Sequence, residues 1–227
     1  MIAASVKVED WGVIEYGEAL ARQRARLSAL IAGNVEDTLI ICQHPAVITC
    51  GTSSRKDSVL TSRSMLNEQQ IDYFQVERGG DVTYHGPGQL VVYPMLNLHH
   101  FKTDIGWYMR SLERCIIETL INFSVTAHRV EGKAGVWTTQ NCKIASIGVK
   151  LSRWCSMHGA AINVLKESIA GFEHIIPCGL SGVTTTSVEH QSGTATKFSA
   201  TNFADFQDNF VDIFLKYFNY YNILSQP

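Results

Sequence analysis

The chain has 227 residues, a length typical of one globular domain. Hydrophobic residues make up 45% of it and charged residues 18%, a composition that can bury a core and that excludes an intrinsically disordered protein. The formal net charge of −2 creates no overall field that would favour nucleic acid or a membrane, and neither is expected as a partner.

The sequence contains no internal repeat and no linker rich in proline, glycine or serine, so we predict a single domain over residues 1–227. No apolar run approaches the roughly 20 residues of a membrane span. The N-terminus, MIAASVKVEDWG, lacks the apolar region of a secretory signal. A cytoplasmic protein is the resulting expectation.

Six cysteines are spread along the chain, and no two of them form a C-x-x-C pair. Without an export signal, an even number of cysteines is weak support for disulfides. We expect reduced thiols, most of them buried as small hydrophobic side chains, and no structural zinc or other metal. The cysteines are Cys42, Cys50, Cys115, Cys142, Cys155 and Cys178.

Three stretches have the hydrophobic period of helices. The first runs roughly from Tyr16 to Ala32, after which Gly33-Asn34 predicts its end. The second begins near Thr103, a candidate N-cap, and carries apolar side chains at three- and four-residue steps as far as Leu120.

The third candidate helix follows Ser199 and Thr201. Its phenylalanines recur at three- and four-residue steps and form one aromatic face, which is far more typical of core packing than of a cofactor site. These residues are Phe203, Phe206, Phe210, Phe214 and Phe218.

Between the candidate helices lie short runs rich in Val, Ile and Tyr, which predict strands. The strands are grouped and do not alternate regularly with helices, so the pattern favours an α+β fold with a mixed or antiparallel sheet over a doubly wound nucleotide fold. The predicted strands are Thr38–Cys42, Val47–Cys50, Tyr73–Glu77, Gln89–Leu96, Ser124–His128, Gly135–Thr139, Lys143–Lys150 and Met157–Val164.

The segment R-G-G-D-V-T-Y-H-G-P-G-Q, residues 78–89, holds four glycines between two predicted strands. Glycine lets a ligand approach the main chain closely, while Arg78 is able to meet an anion and His85 to form a hydrogen bond. An ordinary glycine-rich turn explains the composition equally well. The segment matches neither a dinucleotide fingerprint nor a phosphate loop.

Two further features are candidates for chemistry. Lys143 opens a strand whose alternation would place it on one face with Ala145, Ile147 and Val149, and a lysine in apolar surroundings gives up its proton more readily and can act as a base. Cys178 lies between Pro177 and Gly179, in a loop by composition. The alternatives are a solvated lysine at a strand end and a buried structural cysteine.

The motifs together resemble the lipoyl(octanoyl) transferase family. The residues that carry the resemblance are, in order, H-P-A-V-I-T-C-G, R-G-G-D-V-T-Y-H-G-P-G-Q-L-V-V-Y-P, G-K-A-G-V-W, K-I-A-S-I-G-V-K, H-G-A-A-I-N-V and I-I-P-C-G-L, and they extend from about His44 to Ser187. Departures are small: Cys155 stands where an aliphatic residue is expected, and Val188 where leucine is usual.

The resemblance implies the fold of biotin and lipoate protein ligases, an α+β fold in which a mixed β-sheet is flanked by helices. It implies transfer of octanoyl from octanoyl-acyl carrier protein to a lysine on lipoyl domains of 2-oxoacid dehydrogenase E2 subunits and on the glycine cleavage H protein. The carrier is acidic in this family, so a basic patch near the site is expected, with Lys150 and Arg153 as candidates.

The same resemblance assigns roles to residues. Cys178 would carry the acyl group as a thioester, and Lys143 would be its partner. Substrate binding would fall to three segments, which are Arg78, Gly79, Gly80, Asp81, Val82, Thr83, Tyr84 and His85, then Ser146, Ile147 and Gly148, and then Gly159, Ala160 and Ala161.

A thioester exchanges with a thioester at little cost and reacts with an amine downhill, so the implied reaction needs no cofactor, ATP or metal. Three other functions fit parts of the sequence. They are an ATP-dependent lipoate–protein ligase on the same fold, a cysteine hydrolase that pairs Cys178 with His158, and a non-catalytic module that binds acyl carriers or lipoyl domains.

Overall fold

The computed structural model describes residues 6–176, 183–192 and 200–224. The strands are β1 (Lys7–Val13), β2 (Thr38–Gln43), β3 (Val47–Cys50), β4 (Asp72–Gln75), β5 (Val82–His85), β6 (Gln89–Met95), β7 (Ala127–Val130), β8 (Lys133–Thr138), β9 (Lys143–Ser152) and β10 (Cys155–Asn163). The helices are α1 (Tyr16–Ile31), α2 (Arg63–Glu68), α3 (Ile105–Asn122), α4 (Val188–Gln191) and α5 (Ala200–Leu224).

The strands form two sheets. The large sheet has seven strands in the order β1-β2-β6-β10-β9-β8-β7, and the small sheet has three in the order β4-β3-β5. β1 runs parallel to β2 and β4 parallel to β3, whereas the other neighbours are antiparallel. The predicted α+β class with a mixed sheet flanked by helices is confirmed.

One face of the large sheet is covered by α3 and α5. Leu90 and Val92 of β6 point to this face and join an apolar core with both helices. All five phenylalanines of the predicted aromatic face are buried in it, as their spacing indicates. The N-cap of α3 is Asp104, whose carboxylate accepts from the Trp107 N–H at 2.9 Å, and not the predicted Thr103.

The opposite face of the large sheet is covered by α1 and by the small sheet. Val91 and Tyr93, which alternate with Leu90 and Val92 on β6, belong to a second core that contains the buried side chains of α1. α1 ends as predicted: Gly33 takes a left-handed φ of +74°, and the Asn34 N–H bonds back to the Ala29 carbonyl at 2.9 Å.

Eight of the ten strands overlap predicted ones, and β1 and β5 were not predicted. β5 lies inside the glycine-rich segment, where its four residues pair antiparallel with β3. The five described cysteines are free thiols, and all but Cys142 are buried. Burial raises the pKa of the Cys42 and Cys115 thiols well above the ordinary range. Within the described ranges, no helix is long and apolar enough to cross a bilayer.

Candidate active site

A narrow slot of about 50 Å³ lies between the small sheet and the centre of the large sheet. Its walls come from the glycine-rich segment, from β9 and β10, and from Tyr16 at the start of α1. Among the described residues, the lining consists of Tyr16, Arg78, Gly80, Asp81, Val82, Thr83, His85, Val91, Tyr93, Lys143, Ser146, Ile147, Gly148, His158, Gly159, Ala160 and Ala161.

The three predicted binding segments meet at this slot. Twelve of the fourteen residues proposed for substrate binding line it, together with Lys143. Tyr84 points away and packs against Phe172 in the core of the small sheet, because side chains alternate along β5. Gly79 acts through its main chain, whose N–H donates to the Val149 carbonyl at 2.9 Å. Cys178 lies outside the described residues.

At two of the predicted glycines, Gly148 and Gly159, the main chain of a neighbouring segment packs directly against the glycine. A Cβ on Gly148 would lie 2.8 Å from the Gly79 carbonyl oxygen, and one on Gly159 would meet the Val92 carbonyl oxygen and the Pro94 ring. A larger residue at either place requires the backbone to move. The glycines in these motifs therefore set the distance between the strands that form the walls.

Arg78 is buried and connects the glycine-rich segment to β3 of the small sheet. Its Nη2 donates to the Thr49 carbonyl at 2.6 Å and its Nε to the Thr49 hydroxyl at 3.3 Å. Its Nη1 donates to the Gly79 carbonyl at 3.1 Å. The guanidinium thus fixes the conformation of the glycine-rich segment from within.

Lys143 is 3% exposed, and its ammonium lies 5.5 Å from the centre of the Trp137 ring. The predicted alternation fails at this residue because the pairing of β8 with β9 shifts register between Val136 and Trp137. Ile144 and Ala145 both enter the core beneath α3, and Lys143 turns to the slot. A β-bulge therefore orients the Lys143 amine towards the slot.

The described residues on either side of segment 177–182 are connected by hydrogen bonds to residues that line the slot. Before it, the Ile176 N–H donates to the carbonyl of Ser58, whose hydroxyl donates to the Asp81 carboxylate at 2.9 Å. After it, Thr184 accepts from the Lys143 N–H at 2.8 Å. Cys178 belongs to the segment 177–182, which lies between these two anchors in the sequence.

A chain of buried hydrogen bonds connects the slot to Thr186, two residues after the second anchor, Thr184. The His85 Nδ1 contacts Gln89 Oε1 at 2.8 Å, and Gln89 Nε2 donates to Asn163 Oδ1 at 2.9 Å. Asn163 Nδ2 donates to the Thr186 carbonyl at 3.0 Å, and the Thr186 N–H donates to the Lys143 carbonyl at 2.9 Å. The end of the glycine-rich segment, β10 and Lys143 are therefore positioned by one network.

The network also fixes the tautomer of His85. Gln89 Nε2 donates to the Tyr84 carbonyl at 3.2 Å, so the amide oxygen of Gln89 faces His85 and accepts from its Nδ1–H. Burial lowers the pKa of His85 to about 3. The ring is therefore neutral at physiological pH and keeps a lone pair on Nε2.

Tyr16, Val91 and Tyr93 also line the slot, although no role was predicted for them; Val91 and Tyr93 stand within the motif that begins at Arg78. Tyr93 donates to His44 Nε2 at 2.7 Å, and His44 Nδ1 donates to the Ile14 carbonyl at 2.7 Å. Burial lowers the pKa of His44 to about 4 and raises that of Tyr16 to about 12. A strand residue such as Tyr93 looks like any core residue in sequence, so only the fold could locate it.

His158 has a left-handed φ of +58°, unusual for a non-glycine residue within a strand. Its N–H donates to Gln23 Oε1 at 2.9 Å, and burial lowers the pKa of its ring to about 4. Its Nε2 and the Thr83 hydroxyl are buried without a hydrogen-bond partner in the described ranges. Strain and unused polar atoms of this kind concentrate at functional sites.

The slot continues into a wider groove of about 360 Å³. The two cavities share Gly80, Asp81, Lys143 and Ile147. The additional lining of the groove comes from the segment after β3 and from the β7–β8 hairpin, and it comprises Ser53, Arg55, Gly132, Lys133, Ala134 and Trp137. Lys143 therefore lies where the narrow slot joins a broader groove, whose lining includes the charged side chains of Arg55, Lys133 and Asp81.

The sequence model of one family, the lipoyl protein ligase A/B catalytic domain, matches residues 15–215, and the chain belongs to this family. Within it, the chain is similar to octanoyltransferases. It is 40% identical over 214 residues to that of Cytophaga hutchinsonii, a match that covers 86% of this chain and 87% of the relative.

The octanoyltransferase of Solibacter usitatus is 44% identical over 170 residues, which cover 75% of this chain and 76% of the relative. Among solved structures, a bipartite lipoate protein ligase from Thermoplasma acidophilum superposes with a TM-score of 0.66 at 13% identity, over 94% of this chain and 83% of that one. The structural likeness shows the shared fold.

Proposed function

We propose that the protein is an octanoyltransferase that moves an octanoyl group from a carrier thioester to a lysine amine through a thioester on Cys178. The proposal rests above all on the 40% identity to an octanoyltransferase over 86% of the chain. The position of Lys143, at the junction of slot and groove and hydrogen-bonded to the segment that follows residues 177–182, agrees with it.

The first half-reaction forms the acyl-enzyme. Lys143 takes the proton of the Cys178 thiol, and the thiolate attacks the carbonyl carbon of the donor thioester. The bond between that carbon and the carrier sulfur breaks, and the carrier thiolate receives the proton from Lys143. One thioester has replaced another, so no ATP or cofactor is consumed.

In the second half-reaction, the neutral amine of the acceptor lysine attacks the carbonyl carbon of the Cys178 thioester. The carbon–sulfur bond to Cys178 breaks, and the proton that the amine loses passes through Lys143 to the thiolate. The product is an amide, which makes this half-reaction downhill. The proposal requires the slot, which is about 50 Å³ in this structure, to widen around the acyl chain, whose burial would stabilise it by roughly 0.8 kcal/mol per CH₂ group.

We further propose octanoyl-acyl carrier protein as the donor. The proposed acceptors are lipoyl domains of 2-oxoacid dehydrogenase E2 subunits and the glycine cleavage H protein. The similarity to octanoyltransferases supports the donor, and membership of the lipoyl protein ligase A/B family supports an acceptor of this kind.

The principal alternative is an ATP-dependent lipoate ligase. The solved ligase is only 13% identical to this chain, while the octanoyltransferases are 40–44% identical. A ligase would require ATP and would retain activity without Cys178. Omitting ATP and replacing the cysteine therefore separate the two functions.

The test is the intact mass of the protein after mixing with octanoyl-acyl carrier protein in the absence of acceptor and ATP. The wild type should gain the mass of one octanoyl group, and Cys178→Ser should gain none and lose transfer. Cys142→Ser, which removes a partly exposed thiol, is the matched control and should behave as wild type. Full transfer by the Cys178→Ser protein would disprove the covalent route.

A further inference from the structure

The groove beyond Lys143 has the charge of an anion-binding surface. Two cations, Arg55 and Lys133, line it together with the Lys143 amine, against one carboxylate, that of Asp81. The Asp81 carboxylate already accepts hydrogen bonds from the Ser58 hydroxyl at 2.9 Å and from its own neighbour, the Val82 N–H, at 2.8 Å. The groove therefore presents an excess of positive charge in an otherwise acidic protein.

The two outer cations are exposed and come from separate elements. Arg55 follows β3, and its contact with Asp57 at 3.4 Å joins two exposed side chains, a kind of ion pair that contributes little. Lys133 begins β8, and its ammonium lies 5.4 Å from the Trp137 ring, which Lys143 approaches at 5.5 Å. Cations thus lead from open solvent to the slot.

We propose that this groove binds the phosphopantetheine arm of the donor carrier, with Arg55 and Lys133 facing its phosphodiester. The inference rests on the proposed function. Such an arm has an acyl thioester at one end and an anion at the other, with an extended chain between them. With the acyl chain in the slot and the thioester beside Lys143, the remaining arm would leave through the groove, which adjoins the slot at Lys143.

Both the donor arm and the acceptor lysine have to reach Lys143, and the charge of the groove indicates which of the two it binds. The acceptor arm is a lysine side chain, whose ammonium would be repelled by the groove cations. The donor arm carries a phosphate, which they attract. The Lys150 and Arg153 candidates from the sequence line neither cavity in the described part of the chain, and Lys150 contacts Glu77 at 3.8 Å.

The test compares three donors: octanoyl-acyl carrier protein, octanoyl-4′-phosphopantetheine, and octanoyl-pantetheine, which lacks the phosphate. Arg55→Gln and Lys133→Gln should each lower kcat/KM about fivefold for the two phosphate-bearing donors, and the double variant about 20-fold. With octanoyl-pantetheine, all three variants should stay within about twofold of wild type. Lys216→Gln, an exposed lysine on α5, is the control.

Equal losses with and without the phosphate, or no loss at all, would overturn the assignment of the groove. A loss confined to kcat/KM for the acceptor would overturn it as well and assign the groove to the lysine arm. If the wild type transfers octanoyl from none of the three donors, it is the proposed function that fails. The two failures are therefore distinguishable.

Discussion

The two faces of the large sheet differ in what they bury. The face under α3 and α5 holds an apolar core with a continuous row of phenylalanines. The face under α1 and the small sheet buries three histidines with lowered pKa values, a lysine, and polar atoms without partners in the described ranges. Adjacent residues of one strand, Val92 and Tyr93, serve the two faces.

Because side chains alternate along a strand, the apolar core that stabilises the fold lies on one face of the large sheet, and the ionisable and strained groups of the site lie on the other. Burying aromatic surface stabilises the fold, whereas burying ionisable groups and left-handed backbone costs free energy. The apolar face can offset that cost while the other face keeps a site. If the separation is real, mutations on the two faces should affect different measurements.

The largest effect should come from the site face. Lys143→Met keeps the length of the side chain and removes its amine, so kcat should fall by about 10²- to 10⁴-fold, the usual contribution of a proton-transfer group. The free energy of unfolding should change little. Steady-state transfer assays and urea unfolding measure the two quantities.

Lys150→Met is the matched control, because this lysine lies on the same strand, outside both cavities in the described part of the chain. The pH dependence of Cys178 alkylation gives an independent readout. Loss of Lys143 should shift that profile to higher pH, and an unchanged profile would remove Lys143 from the role of thiol activator.

The next largest effect should come from the apolar face. Phe210→Ala empties a fully buried position in α5 and should lower the free energy of unfolding by about 3–5 kcal/mol. Transfer activity per folded molecule should stay near that of wild type. Urea unfolding, with activity measured well below the melting temperature, checks both statements.

Asp212→Ala, an exposed position on the same helix, should change the unfolding free energy by no more than about 0.5 kcal/mol. A specific loss of kcat in folded Phe210→Ala protein would contradict the division between the faces.

The smallest effect, measured for a single histidine over one pH unit, concerns the pH dependence of stability. The folded protein holds His44, His85 and His158 neutral down to pH values near 4 or 3, whereas the unfolded chain protonates them below about 6.5. Their contribution is therefore complete above pH 6.5 and is lost as the pH falls toward 4. For each of these histidines, the free energy of unfolding should fall by about 1.4 kcal/mol per unit of pH decrease in that window.

His158→Asn removes one of these groups and suits the left-handed backbone there. Its unfolding free energy should depend less steeply on pH between 6.5 and 4 than that of wild type, by about one histidine's share. Urea unfolding at several pH values measures the slope. An identical slope would mean that His158 takes up no proton on unfolding in this range, because it is already protonated in the folded protein.

Much of the fold followed from periodicity. The row of phenylalanines in α5 and the end of α1 at Gly33 depend on local sequence, and both were predicted. β5 was missed because it is four residues long and enclosed by glycines. The bulge that turns Lys143 to the slot was missed as well, because it depends on how β8 pairs with β9.

The candidate site was predicted where motifs name its residues and missed where only the fold joins them. The glycine-rich segment, the motif that begins at Lys143 and the small residues of β10 meet as the resemblance implies. Tyr16 lies far from these motifs in the sequence, and Tyr93 stands within one of them but resembles a core residue, so only the packing shows that both complete the slot. The role of Cys178 stays a prediction, because that residue lies outside the described part of the chain.

The close approach at Gly148 and Gly159 has a consequence for how this protein could evolve. Where a pocket wall is a side chain, a single substitution can shorten it and admit a bulkier cargo. At these two positions the wall is the peptide backbone itself, which has nothing to trim. Room for a branched or cyclic acyl group would therefore have to come from side chains elsewhere in the lining, such as Val91 and Ile147.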